Sequence, residues 1–154
     1  AERREDCRQG AQMIVERMDR VTVNLQKEEG FSRWVYDDHL GVKTIGYGRN
    51  VDKGANGPGI TADEAMVLLQ NDIKRVAAEL AERLPWVTGL DPDRRECLVE
   101  MSYQLGWPRL SKFVLMLAAL KSGDWNESAD QLLDSRYAKQ TPARVERYAA
   151  RLRG

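Results

Sequence analysis

The chain has 154 residues, enough for one domain or two small lobes sharing a core. Lys plus Arg and Asp plus Glu both total 24, so the net charge is zero and gives no electrostatic footprint for nucleic acid. An apolar content of 42%, a mean hydropathy of −0.57 and the lack of an apolar run long enough to span a bilayer exclude stable membrane insertion. Cys7 and Cys97 are far apart and there is a single His, so no metal-ligand spacing exists; two free thiols are expected, with no cofactor and no metal. The first residue is Ala1, not Met, which is expected of a processed chain or a piece of a longer protein.

In chain order, residues 4–27 read as a helix, with Met13, Ile14, Met18, Val21 and Leu25 at three- and four-residue steps. The β-branched run Val21-Thr22-Val23 allows a break, and Gly30 is a stop. The period then changes. Trp34–Asp38 and Val42–Tyr47 predict a hairpin turning at Asp38-His39-Leu40-Gly41, with a third short strand reaching toward Ile60. Thr61-Ala62-Asp63-Glu64 is a capping box. It opens a long helix over 61–82 whose apolar stripe holds Ala65, Leu68, Leu69, Ile73, Val76, Ala77 and Leu80.

Asp91-Pro92 opens a further helix ending at Gly106, with Cys97, Leu98, Met101 and Leu105 at core spacing. Ser111–Leu120 is apolar enough to be the buried centre of a helical lobe. Asp124 and Glu127 frame the next helix, which ends near Asp134, and Thr141-Pro142 opens the last. The expected fold is therefore α+β: a small hairpin lobe over 28–60, an inter-lobe helix over 61–82 and a helical lobe over 83–154.

The stretch EEGFSRWVYDDHLGVKTIGYGRN concentrates the chemistry. It interleaves acids with Phe31, Trp34, Val35, Tyr36 and Ile45, all of which favour burial. Eight residues separate Glu29 from Asp38 and five separate Asp38 from Thr44. A helix end, a hairpin turn and a returning strand can aim these three side chains into one cleft. Two carboxylates flanking a cleft are the minimum for glycosidic cleavage, one protonated to serve the leaving oxygen and one ionised to guide water or steady positive charge. Spacing alone favours a solvated acidic rim.

Glu29, Asp38 and Thr44, followed at once by Ile45-Gly46-Tyr47-Gly48, resemble the catalytic segment of the T4-type phage lysozymes, which are muramidases. The resemblance continues from about Leu25 to the C-terminus through Gly59-Ile60-Thr61, Arg94-Arg95, Tyr103-Gln104-Leu105-Gly106, Asp124-Trp125, Ser135-Arg136-Tyr137, Gln140-Thr141-Pro142 and Arg144. It implies a lysozyme-like fold of two lobes. It implies Glu29 as general acid, Asp38 as the group that orients water or stabilises the oxocarbenium-like state, and Thr44 beneath the scissile sugar.

The resemblance further implies that Arg144 reaches the catalytic Glu, and that Tyr103 and Gln104 line the sugar cleft. At three cleft positions the chain departs from the family, with Asn50 for a leucine, Met116 for a serine and Gln131 for an asparagine. The family's histidine is Arg49 here, and an Arg49–Asp72 pair is expected in place of His–Asp. His39 has two readings, a base beside Asp38 or an exposed turn residue. Trp86, Trp107 and Trp125 are expected as core anchors rather than sugar platforms. The C-terminal RVERYAARLRG sets Arg144, Arg147, Arg151 and Arg153 against Glu146, which suits either an anionic surface or a solvated face.

The implied partner is bacterial peptidoglycan, cut at the β-1,4 bond between N-acetylmuramic acid and N-acetylglucosamine by a monomeric domain. The implied setting is the host cytoplasm before wall access, or the phage virion, with action in the periplasm and wall. Two alternatives stand beside hydrolysis. A lytic transglycosylase would cut the same bond but would not need Asp38, and a non-catalytic peptidoglycan-binding module would not need the whole set.

Overall fold

A computed structural model describes residues 19–154. The chain divides into two compact units between Ala65 and Met66. The fold is α+β: a small antiparallel sheet followed by a mostly helical region.

The first unit begins, among the described residues, with α1 (Asp19–Glu29). The expected helix over 4–27 therefore reaches Glu29 and carries no break at Val21–Val23; its residues 4–18, with Cys7, lie outside the described part. Gly30 ends the helix in the left-handed conformation (φ 68°), and its N–H donates to the Gln26 carbonyl at 3.2 Å. The sheet follows in sequence order: β1 (Ser32–Asp37), β2 (Lys43–Gly46) and β3 (Arg49–Asn50). Tyr36 pairs with Thr44 and Thr44 with Asn50, so Thr44 sits mid-sheet. A register shift between Ser32 and Tyr36 marks a bulge in β1. The third strand is two residues long and ends at Asn50, well short of Ile60.

Burial in this unit differs from the expectation. Thr44 is buried at 4% exposure, whereas Phe31, Trp34 and Val35 are exposed at 67%, 73% and 53%. Tyr36 is also exposed and Ile45 half-buried. Three short strands give only one shielded central position, and the apolar side chains on the outer strand have no second layer among the described elements.

The capping box forms as expected. Thr61 N–H donates to Glu64 Oε2 at 2.7 Å, and Glu64 N–H donates to Thr61 Oγ1 at 3.2 Å. It opens α2 (Ala62–Arg83), which runs across the boundary between the units. Only the second half of its apolar stripe is buried, at Val76 and Leu80, while Leu68, Leu69 and Ile73 are exposed.

The second unit continues with α3 (Pro92–Leu105), α4 (Trp107–Leu110), α5 (Val114–Ser122), α6 (Trp125–Leu133), α7 (Arg136–Gln140) and α8 (Pro142–Arg153). Asp91 and Asp124 cap α3 and α6 by accepting the N–H groups of Arg94 and Glu127. The core joins Cys97, Leu98 and Met101 of α3 to Met116 and Leu120 of α5, Leu132 of α6, and Val145 and Leu152 of α8. Trp86, Trp107 and Trp125 pack against this core, as anchors rather than platforms. The apolar Ser111–Leu120 stretch is only partly the buried centre. Met116, Leu117, Ala119 and Leu120 are buried, but Val114 and Leu115 face solvent.

Candidate active site

Glu29 is the last residue of α1, and its side chain is exposed. With Gly30, Phe31, Ser32 and Tyr36 it lines a shallow cleft of about 310 Å³. Its carboxylate lies against Gly48: a Cβ built on residue 48 would stand 2.6 Å from Glu29 Oε2. Gly48 has φ 75°, so glycine is required there twice, for backbone conformation and for space. The helix end and the Gly46-Tyr47-Gly48 turn thus meet at one carboxylate, and the Phe31 and Tyr47 rings close the same junction at 5.4 Å.

Asp38 opens the hairpin turn. Its Oδ1 accepts the N–H groups of Leu40 at 2.8 Å and Val42 at 2.9 Å. The Val42 N–H first, then the Leu40 N–H and the neighbouring His39, hold its carboxyl below the usual carboxylate range. Both turn bonds fall on Oδ1, so Oδ2 is left for another partner. His39 is an exposed turn residue. Thr44 Oγ1 donates to the Val42 carbonyl at 3.0 Å, which spends its hydroxyl proton and leaves oxygen lone pairs to accept. Asp38 and Thr44 do not line the Glu29 cleft; Tyr36, opposite Thr44 in the sheet, does.

Arg49 and Asp72, expected as a pair, each have a partner within their own unit. Arg49 forks onto Glu64, with Nη1–Oε1 at 2.7 Å and Nη2–Oε2 at 3.0 Å, and its Nε donates to the Gly59 carbonyl at 2.7 Å. Asp72 instead pairs with Arg75 on its own helix at 3.2 Å. A guanidinium can fork onto a carboxylate and still donate its Nε to a carbonyl close by, which an imidazole cannot do. The Thr61 N–H first, and then the Arg49 charge, hold the Glu64 carboxyl below its ordinary value. Asn50 is spent locally too: its Oδ1 accepts the Asp52 N–H at 2.8 Å and its Nδ2 donates to the Ala55 carbonyl at 3.3 Å.

In the second unit, Tyr103 is exposed and lines an apolar groove of about 400 Å³ with Leu69, Ile73, Val99 and Gln104. Gln104 Oε1 accepts the Tyr137 hydroxyl at 2.6 Å. Gln131 donates to Glu127 at 2.8 Å and lines a separate groove, together with Met116. Arg144 is exposed on the first turn of α8. Of the basic C-terminal residues, Arg151 pairs with Glu96 and Glu100 and Arg153 with Asp130, which neutralises much of that face. No cluster of His, Cys, Asp or Glu among the described residues could hold a metal, and no helix there is long and apolar enough to cross a membrane.

Residues 26–151 match the phage lysozyme family, which takes in the whole of this arrangement. The chain belongs to that family. Membership classes it as a glycosidase of the T4 lysozyme type. It is 30% identical over 149 residues to probable T4-type lysozyme 2 of Dictyostelium discoideum, covering 80% of this chain and 87% of that protein. It is 26% identical over 149 residues to probable T4-type lysozyme 1 of the same organism, with the same coverage. It is 27% identical over 147 residues to the pre-baseplate central spike protein Gp5 of Enterobacteria phage T4, covering 80% of this chain and 26% of that much longer protein.

Sequence reasoning missed two participants in the site. Gly46 and Gly48 read in the sequence as backbone that bends or must be approached closely, but nothing there names Glu29 as the group that approaches Gly48. Glu64 was legible as a helix cap, but its second duty to Arg49 of β3 had no signal in the sequence.

Proposed function

We propose that this phage lysozyme family member hydrolyses the β-1,4 bond between N-acetylmuramic acid and N-acetylglucosamine in peptidoglycan. The observation that carries the reading is the Glu29 carboxylate, exposed at a cleft and seated on Gly48. In the proposed reaction Glu29 gives its proton to the leaving glycosidic oxygen. Asp38 is the ionised partner; its free Oδ2 takes the water or faces the developing positive charge, and its lowered pKa keeps it charged in mildly acidic surroundings. Thr44 offers lone pairs to the same water. Tyr103, Gln104, Gln131 and Asn50 contact the sugar chain, Asn50 chiefly by shaping its loop.

The charged, water-guiding Asp38 favours hydrolysis over transglycosylation, in which the sugar's own hydroxyl attacks. The protein acts on the wall as a phage lysin, either released late in infection or carried on the virion. The test is mass spectrometry of fragments from purified peptidoglycan, with Glu29→Gln alongside. Reducing muramic-acid ends, absent with the variant, are expected. Anhydro-muramic ends would make it a transglycosylase, and no fragments from either protein would leave a binding module.

A further inference from the structure

Gly48, which seats the Glu29 carboxylate, is followed at once by Arg49, the first residue of β3. The turn between β2 and β3 has little stiffness of its own, because Gly46 and Gly48 both take the left-handed conformation (φ 67° and 75°) that glycine enters and leaves freely. Arg49 is held far more firmly. Its backbone pairs with Ile45 in the sheet. Its half-buried side chain ends in three bonds, the Nη1 and Nη2 fork on Glu64 at 2.7 and 3.0 Å and the Nε bond to the Gly59 carbonyl at 2.7 Å. Among the described residues no other arginine places both Nη atoms on one carboxylate. Glu64 is itself fixed, since its Oε2 also accepts the Thr61 N–H at the start of α2. One run of contacts therefore leads from Glu29 through Gly48, Arg49 and Glu64 to the cap of α2, all within the first unit.

We propose that Arg49 is a positioning residue for Glu29, its fork on Glu64 holding Gly48 where the acid seats. The inference rests on Glu29 being the general acid of the proposed hydrolysis. A general acid must stand within hydrogen-bond reach of the leaving oxygen, and a small displacement costs much of the rate. An exposed carboxylate at a helix end has several rotamers open to it, so the surface it rests on decides where it stands. The fork is poorly explained as a stability device. Its side chains are 36% and 42% exposed, and ion pairs that exposed contribute little. The capping box also holds the start of α2 without help from Arg49. What the fork alone does is to fix the β2–β3 turn against the start of α2. A planar guanidinium suits that duty, because two parallel bonds set an orientation that a single ammonium contact leaves free.

The test separates the fork from the cap. Glu64→Gln keeps an oxygen for the Thr61 N–H but loses the charge that the fork needs, whereas Thr61→Ala loses the cap hydroxyl and keeps the fork. On purified peptidoglycan, kcat per folded molecule is expected to fall about tenfold in Arg49→Gln and in Glu64→Gln, with KM within about twofold of wild type. Arg49→Lys should recover part of the loss, and Thr61→Ala should lower Tm while keeping kcat. Adding Arg49→Gln to Gly48→Ala should cost nothing further, because the seat is already gone. Wild-type kcat in Arg49→Gln, or a loss that multiplies with that of Gly48→Ala, would overturn the proposal. A second measurement needs no turnover. The Gly48 amide resonance should shift on Glu29→Gln, because the carboxylate lies against that residue, and the shift should shrink when Arg49→Gln is also present. An equal shift in both backgrounds would overturn the positioning role even in a protein that cuts the wall. A shrinking shift in a protein whose wild type releases no wall fragments would remove the hydrolase reading and leave the bracing of Glu29 standing.

Discussion

Glu29 and Gly48 fit together as carboxylate and seat: Oε2 of the acid occupies the space that a side chain on residue 48 would need, 2.6 Å from the Cβ position. Gly48→Ala would therefore do two things. The left-handed backbone (φ 75°) would cost about 1–2 kcal/mol with any L side chain. The new methyl would also displace the Glu29 carboxylate, because a flexible side chain yields before backbone does. Turnover of peptidoglycan is expected to drop by about ten- to a hundredfold, more than the stability loss explains once the folded fraction is measured. Wild-type turnover per folded molecule would mean that Glu29 does not work from this seat.

Asp38 has two duties that substitutions separate. Asn keeps an oxygen that can accept from Leu40 and Val42, but it has no charge. Asp38→Asn should keep the hairpin and lose nearly all activity, Asp38→Ala should lose both, and His39→Ala should change little. The folded Asp38 carboxyl titrates below its unfolded value, so its ionised form stabilises the hairpin fully above about pH 4. That contribution disappears as pH falls through the lower folded value. A stability gap between wild type and Asp38→Ala that stayed constant down to strong acid would contradict this. Full activity in Asp38→Asn would remove the need for charge.

Much of this was legible because local chemistry left few options. Thr61 and Glu64 could cap only one helix, and Asp91-Pro92 and Thr141-Pro142 each mark a helix start. Gly30 stopped α1 as expected. The failures share a cause, which is that pattern reports which residues can be buried and not which partners arrive. Trp34 and Phe31 have the composition of a buried strand, yet three short strands provide no layer to cover them. Leu68, Leu69 and Ile73 continue the stripe that buries Val76 and Leu80, but the helical core is packed only against the later turns. Arg49 forks onto Glu64, whose capping carboxylate has a second oxygen to offer nearby. Of the site, the acids and their spacing were in the sequence; the seating of Glu29 required coordinates.

Cys97 should be chemically silent. It is fully buried in the helical core, and burial pushes its thiol up to about 12. At pH 8 almost none is thiolate, and no reagent reaches it without local opening. Treatment of the native protein with iodoacetamide, followed by peptide mapping, is expected to leave the Cys97 peptide unmodified, and labelling should become complete in denaturant. Rapid native labelling would show that the α3–α8 contact opens readily, since the thiol lies against the Tyr148 carbonyl of α8 at 3.9 Å.

Arg94 joins the start of α3 to the end of α8. Its Nε donates to the Leu152 carbonyl at 2.7 Å and its Nη2 to the Arg153 carbonyl at 2.8 Å, which satisfies two acceptors that the end of a helix leaves open. Its Nη1 meets Asp91 at 2.8 Å, and its guanidinium lies over the Trp125 ring at 4.2 Å. The side chain is only 12% exposed, so these are shielded, charge-assisted bonds rather than a surface pair. Removing them all by Arg94→Ala should cost about 2–4 kcal/mol, read as a lower urea midpoint, with activity per folded molecule retained. Arg94→Lys should restore only part, because an ammonium cannot fork onto two carbonyls and stack on an indole together. A loss under about 0.5 kcal/mol for Arg94→Ala would mean that water caps the last turn of α8 equally well, and that the helical unit is held by its apolar core alone.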